Sequence, residues 1–437
     1  MSVFAKTVKR NLVCQLENLN EIRSLFVSDP EKDFSRKRKL DFQETMRILL
    51  SMGGKSLKLE LLEYFSYDIE TVTNSAFVQR RGKILPEAFM HLFHTFTSTI
   101  DSSKKFDGYR LLAVDGSDLC IPFNPDDEDT HFPNGSKAKG FNTLHLNAMY
   151  DLLSRFYVDA LVQPGRKSAE AQALVKMVDR SPITEKVIII ADRGYENYNA
   201  FEHIIQKGWD YVIRVKDVTS NGISSGLSLP KKEVFDVDYA FEMTRRNTNE
   251  IKANPTRYKF MPKNQVFDYL PPGSKKTYPF KFRILRFPIT ETTYEVIVTS
   301  LDRDKFPLEK IKEIYHMRWG IETSFRELKY AINLSNFHSK KVAYILQEIY
   351  ARLIMYNFCE AITAHVVIGQ SDRKHDYQVN FTVAIAVCLH FFRSKRNMPP
   401  PDVEAHIRKN ILPVRPDRHD PRKVKRQSTV SFLYRVA

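Results

Sequence analysis

Residues 308 to 332 read LEKIKEIYHMRWGIETSFRELKYAI, and the spacing of polar groups in this run decides how the rest of the chain is read. At about 100° per residue, Tyr315, Arg318, Glu322 and Lys329 fall within an arc of about 60° on a helix. Ile314, Ile321, Phe325, Leu328 and Ile332 form an apolar stripe beside that arc. One helix over 308–332 therefore packs on a core and carries the polar set along the core's edge. Glu327, the nearest other acid, projects well away from the set, whereas Arg326 lies on its face, where it either meets phosphate or makes a surface ion pair. A carboxylate beside an arginine and a lysine on one ridge suits a metal ion and the phosphates around it.

Upstream, two apolar runs each end in an acid. Leu111 to Val114 leads into Asp115, and Val187 to Ala191 into Asp192, as buried strands would. Phe141–Tyr150 and Arg155–Val162 alternate in polarity around a turn at 151–154, the mark of a hairpin. Helical patterns at 167–178 and 196–206 and a strand at 211–215 complete a mixed sheet with helices against it. Segment 216–300 is marked by Gly and Pro turns and short strand-like runs, a mostly β insertion. Taken singly, an Asp after an apolar run is most often a turn former. Together, Asp115, Asp192 and Glu322, 77 and 130 residues apart, place three carboxylates where strand ends meet a covering helix. Hard divalent ions take oxygen ligands and retain waters, so such a trio is a candidate metal site.

The chain has 437 residues, too many for one ordinary core, and 43% of them are hydrophobic, enough to build several. Its net charge of +15 favours a polyanionic partner, with a merely basic globular protein as the plain alternative. Cys14, Cys120, Cys359 and Cys388 lack any CxxC or Cys/His spacing, so neither a zinc site nor a disulfide framework is indicated. No apolar run is long enough to cross a membrane, and MSVFAKTVKR lacks a signal peptide's apolar core, which fits a cytoplasmic location.

Residues 1–105 read as short helices joined by glycine turns, and the segment carrying Gln79, Arg80, Arg81 and Lys83 suits a helix-turn-helix-like reader of DNA. A helical packing domain with a solvated basic face fits the same pattern. Beyond the polar helix come an amphipathic stretch at 341–367 and an apolar stretch at 379–392. The tail from Phe391 carries twelve Lys and Arg against four Asp and Glu, and reads as extended and basic.

At this point the residues resemble a known family. Tyr315, Arg318, Glu322 and Lys329 match, at every spacing, the Y-(2)-R-(3)-E-(6)-K signature of DDE transposases of the insertion-sequence-four family, found in bacterial insertion sequences. Asp115 in LLAVDGSD fits the family's first acid and Asp192 in IIIADRGY its second. The resemblance implies an α/β fold: an RNase H-like, retroviral integrase-type core interrupted by a mostly β insertion, with helical N- and C-terminal regions. The divisions expected are a DNA-binding domain at 1–105, core at 106–215 and 301–335, insertion at 216–300, and a C-terminal helical region with its basic tail at 336–437.

It further implies that Asp115, Asp192 and Glu322 are catalytic and hold two Mg²⁺ ions, with Mn²⁺ as the substitute. Tyr315, Arg318, Lys329 and Arg326 would contact phosphate. The partners implied are double-stranded DNA, as terminal inverted repeats and target, and a second copy of the chain in a synaptic dimer near the bacterial nucleoid. Some relatives use a DNA hairpin with an aromatic stacked on a flipped base, for which Trp209, Trp319, Phe235, Tyr239, Tyr258 and Tyr269 are available without assignment. Trp209 is expected to pack beside its strand and Trp319 near its helix. Asp118 reads as a loop hydrogen-bonder, and His145 and His316 as structural. An RNase H-like endonuclease or junction resolvase shares the acids but does not account for the signature, and a domesticated, non-catalytic DNA-binding protein has no need of intact acids.

Overall fold

A computed structural model of the chain describes residues 3–36, 38–134, 138–218, 220–225, 227–366, 376–394 and 401–414. Five helices come first: α1 (Val3–Glu21), α2 (Phe42–Ser51), α3 (Leu57–Tyr64), α4 (Asn74–Arg81) and α5 (Pro86–Thr97). Their starts are written in the sequence. The Asp41 carboxylate accepts the Glu44 amide at α2, the Thr73 hydroxyl accepts the Ala76 amide at α4, and proline opens α5.

The sheet follows: β1 (Arg110–Ile121), β2 (His131–Asn134), β3 (Ala138–Asp151) and β4 (Phe156–Pro164), then α6 (Glu170–Arg180), β5 (Val187–Ala191), α7 (Tyr198–Gln206) and β6 (Asp210–Val215). Five strands run in the order β4-β3-β1-β5-β6. β1 is antiparallel to β3 and parallel to β5, and β5 is parallel to β6. This is the mixed sheet expected of an RNase H-like core. β5 is VIIIA and wholly buried, as a central parallel strand covered on both faces must be.

The next segment supplies β7 (Phe235–Thr244), α8 (Asn249–Ala253), β8 (Tyr258–Phe260), β9 (Thr277–Pro288) and β10 (Tyr294–Thr299). These strands lengthen the same sheet instead of forming a separate one. β10 pairs antiparallel with β6, and β9, β7 and β8 continue outward to give ten strands in all. After them come α9 (Leu308–Met317), α10 (Trp319–Tyr330), α11 (Val342–Thr363), β11 (Tyr377–Val379), α12 (Phe381–Arg393), α13 (Val403–Lys409) and β12 (Ile411–Pro413).

Alternation sorts the sheet into two faces. Leu112, Val114, Ile189 and Ala191 pack beneath α6 and α7 with Leu174, Met177 and Phe201. Leu111, Ile188 and Ile190 pack with Ile311 and Ile314 of α9 on the opposite face. On that same face Ala113, Leu146 and Ala148 join Ile321, Phe325 and Leu328 of α10 and the buried side of α11. The N-terminal helices share this last core with α11 and α12, so both helical ends of the chain pack as one layer. α11 is the post at its centre, with eighteen of its twenty-two residues buried.

Three expectations need correcting. The single helix over 308–332 is two, because at Arg318 the ladder tightens: the Arg318 amide donates to the Tyr315 carbonyl at 3.1 Å and the Ile321 amide to the Arg318 carbonyl at 3.1 Å. A side chain at Gly320 would lie 2.9 Å from Leu152 Cδ2, so this bend sits hard against the β3–β4 turn. Asp115 does not end its strand: β1 runs on to Ile121 because β3 pairs with it past the point where β5 stops. Part of the tail read as extended is ordered, since α13 forms and β12 pairs with β11. The remainder, from 415, lies outside the described residues.

Candidate active site

The register of two parallel strands builds the site. Val114 is the partner of Ala191, so Asp115 and Asp192 follow side by side as β5 ends. Both belong to the α9–α10 face, because Ala113 and Ile190, two residues before each, are buried there. Asp115 Oδ1 accepts the Gly116 amide at 2.8 Å, and Asp192 Oδ1 accepts the Arg193 amide at 2.7 Å, which leaves each carboxylate a second oxygen.

Arg318, at the junction of α9 and α10 and only 3% exposed, bridges the acids. Its Nη2 lies 2.9 Å from Glu322 Oε1 and its Nη1 3.9 Å from Asp115 Oδ2. Among the described residues its buried Nε has no hydrogen-bond partner. The guanidinium also stands over the Tyr315 and Trp319 rings, at 5.6 and 5.0 Å from their centroids. The buried Tyr315 hydroxyl reaches toward Asp192 Oδ1 at 3.5 Å, and burial holds that phenol well above its ordinary range. Burial also pushes the Asp115 carboxyl up to about 6; Glu322 and Asp192 add to the rise, while the Gly116 amide and Arg318 oppose it.

Two members were not foreseen. Arg214 on β6 stands 3.7 Å from Asp192 Oδ1 and 3.4 Å from Glu295 Oε1 on β10. Burial raises the Glu295 carboxyl, with Arg214 and Arg318 lowering it and Asp192 raising it. The available signal was a single charge inside each apolar run, VIRV and YEVIV. Four carboxylates thus face two guanidiniums, and two negative charges are left over.

The expected phosphate contacts are spread more widely than the arc suggests. Lys329 Nζ donates to the Asp118 carbonyl at 3.0 Å, and burial lowers its pKa. Arg326 is exposed and lines a cleft of about 600 Å³ with Arg155, Glu327 and Glu360, beside the acids' face of α10. Trp209 is buried as expected, but Trp319, expected against its helix, is 51% exposed beside Arg318. Asp118 lies within β1, not in a loop, and its carboxylate accepts His145 Nδ1 at 2.7 Å. His316 is exposed.

The set on α4 and the turn after it does not present one basic face. Arg81 is 1% exposed and pairs with Glu348 on α11, so it cannot reach DNA as expected. Lys83 pairs with Asp33, and Arg80 lies over the Phe34 ring at 4.4 Å while its Nε donates to the Leu40 carbonyl. Gln79 is exposed and bonds Ser75 on its own helix.

For a metal the donor chemistry fits: Asp115, Asp192 and Glu322 offer only oxygen, and the leftover charge is that of one divalent cation. Among the described residues no three acids, histidines or cysteines are grouped closely enough to hold an ion. Arg318 stands between Asp115 and Glu322 and answers their charge. Among the described residues no helix is long and apolar enough to cross a membrane.

A search of curated proteins returned no match. Among solved structures, the cryo-EM structure of a piggyBac transposase synaptic complex with hairpin DNA is similar, at 10% identity and a TM-score of 0.46, covering 96% of this chain and 88% of that one. Residues 107–358, more than half the chain and including the three acids, match the family model described as Transposase DDE domain. The chain belongs to the family of proteins with a transposase DDE domain.

Proposed function

We propose that the protein is the transposase of a bacterial insertion sequence of the insertion-sequence-four type, binding terminal inverted repeats and carrying out cut-and-paste DNA transposition. The observation that carries this reading is the β1–β5 register, which sets Asp115 beside Asp192 on the face where Glu322 and Arg318 stand. Asp115, Asp192 and Glu322 would hold two divalent ions, Mg²⁺ before Mn²⁺, since oxygen donors favour hard cations. Bound there, the ions supply the positive charge that stabilises attacking and leaving oxygens in an in-line displacement. The attacking group is water in cleavage and a DNA 3′-hydroxyl in strand transfer.

The chain's own residues take the remaining tasks. Arg318 neutralises the carboxylates, and its planar fork, buried between Glu322 and Asp115, would turn to phosphate once a cation takes up their charge. Tyr315 acts as a fixed protonated donor beside Asp192, since a buried phenol with so high a pKa is a poor nucleophile. Lys329 and Arg326 extend the cationic edge along α10. We further assign end binding to exposed surfaces of 1–105, phosphoryl transfer to 106–215 with 301–335, support of the substrate strand to 216–300, and pairing of two copies on DNA to 336–437. The setting is the bacterial cytoplasm, at the nucleoid.

The test mixes purified protein with DNA carrying the element's ends and Mg²⁺, and compares Asp192→Ala and Glu322→Gln with the parent. Loss of end cleavage in both, with DNA binding kept, is expected. Cleavage at the parent rate in either variant overturns the assignment.

A further inference from the structure

The back of the acid-bearing strands carries a second polar cluster that the proposed chemistry does not use. Asp118 and His145 are direct partners across β1 and β3, on the face covered by α6. His145 is nine-tenths buried. Its Nδ1 donates to Asp118 Oδ1 at 2.7 Å, and its Nε2 stands 3.4 Å from Glu170 Oε1 at the first turn of α6, an ion-pair distance without hydrogen-bond geometry. Burial opposes the imidazolium, yet the bond to Asp118 and the nearby Glu170 carboxylate outweigh it and raise its pKa to about 9. Lys329 bonds the Asp118 carbonyl, so α10 also touches this strand segment.

What sets this cluster apart is where the Glu170 carboxylate lies. A Cβ added to Gly116, the residue after Asp115, would come 2.7 Å from Glu170 Oε1. A Cβ added to Gly194, two residues after Asp192, would fall closer still to Glu170 Oε2. One carboxylate thus lies behind the backbone next to both strand acids, with His145 Nε2 beside it at Gly116, at two places where a Cβ would force it to move. The other histidine clamp, His203 on α7 between Asp179 and Asp268, is not among the nearest neighbours of Gly116 or Gly194.

We propose that Glu170, fixed by His145 and Asp118, is a positioning residue that wedges the Gly116 and Gly194 backbones apart and thereby sets the spacing of Asp115 and Asp192. This rests on reading those two acids as ligands of a divalent cation. Groups that orient ligands from behind typically change metal affinity by about 10- to 100-fold when removed.

The experiment titrates the full chain with Mn²⁺ alone, without DNA, by isothermal calorimetry, and records melting temperature in parallel. Glu170→Ala, which removes the wedge, is expected to weaken Mn²⁺ binding about tenfold or more. Glu170→Gln, which keeps the shape and an oxygen for His145, is expected to recover most of that affinity. His145→Asn, which frees Glu170 without removing it, should fall between them and serves should Glu170→Ala not fold. His203→Ala should lower the melting temperature and leave Mn²⁺ binding unchanged. If Asp192→Ala loses Mn²⁺ while Glu170→Ala and His145→Asn bind as the parent does, the proposal falls alone. It also falls if Glu170→Gln is as weak as Glu170→Ala, since charge would then be the active property. Equal binding by the parent and Asp192→Ala overturns the metal reading and takes the proposal with it.

Discussion

Arg81→Ala separates two roles for a residue that looks, in sequence, like a DNA contact. The Arg81 and Glu348 side chains are each 1% exposed and meet at 2.9 Å. Arg81 also donates to Gln347 Oε1 and to the Tyr344 carbonyl, and Glu348 accepts from the His338 amide and faces Arg352 at 3.8 Å. Truncating one partner of a buried pair leaves the other charge uncompensated, which typically costs about 3–5 kcal/mol. The Glu348 carboxyl gives a second route to the magnitude. Burial would raise its pKa, but Arg81, His338 and Arg352 together lower it from 4.5 to about 2. That drop corresponds to about 3 kcal/mol in favour of the charged form, shared among the three cations with Arg81 the largest contributor.

The sign of the pH effect follows from that direction. A carboxyl whose folded pKa lies below its unfolded one contributes stability that is full above pH 4.5 and lost as pH falls toward about 2. Urea denaturation of Arg81→Ala at pH 7 should show a loss of about 3–5 kcal/mol. The deficit relative to the parent should shrink as pH drops through that window. Meanwhile the slope of log binding constant against log salt for end DNA should stay at the parent value, because a phosphate contact lowers it by about one and Arg81 makes none. An unchanged denaturation midpoint with a slope reduced by about one would refute the buried-pair reasoning.

Two further outcomes follow from the site. Tyr315→Phe removes only a 3.5 Å contact to Asp192, so end cleavage should stay within about tenfold of the parent; complete loss would return the phenol to consideration as a nucleophile. With two tryptophans in the chain, Trp209 buried and Trp319 51% exposed, Trp209→Phe leaves one emitter beside Arg318. Its acrylamide quenching should be strong in the free protein and fall when end DNA binds, and equal quenching in both states would place DNA elsewhere.

The parts of the fold legible in the sequence were those whose partners lie nearby or whose burial is total. VIIIA can only be a covered strand, and the Asp192 after it is found by that alone. Asp115 was found by the same rule, but the end of its strand was misplaced: GSD after it reads as a turn, and only β3, more than twenty residues on, makes GSDLCI a strand. Arg81 was misread because its partner Glu348 is 267 residues away, and no local pattern shows that a Gln-Arg-Arg turn of helix faces a buried acid. Arg214 and Glu295 were missed for the same reason. Each is one charge in an apolar run, and they meet only because β10 lies down beside β6.

Arg318 shows what geometry adds to a signature. On a helical wheel it is one cation among neighbours, and its spacing from Glu322 is an ordinary i,i+4 pair. In the fold it is buried at a tightened turn, with one arm on Glu322, the other near Asp115, and a face over two aromatic rings. Asp115, Asp192, Glu295 and Glu322 outnumber Arg318 and Arg214 by two charges, and at Asp115 burial first, then the neighbouring Glu322 and Asp192, raise the carboxyl pKa. Added positive charge near Asp115 and Glu322 relieves that strain whether it comes from a guanidinium or a metal ion. The carboxylates' need for a cation and the arginine's capacity to hold phosphate are therefore linked, because charge that a metal supplies to Glu322 and Asp115 is charge that Arg318 no longer has to supply.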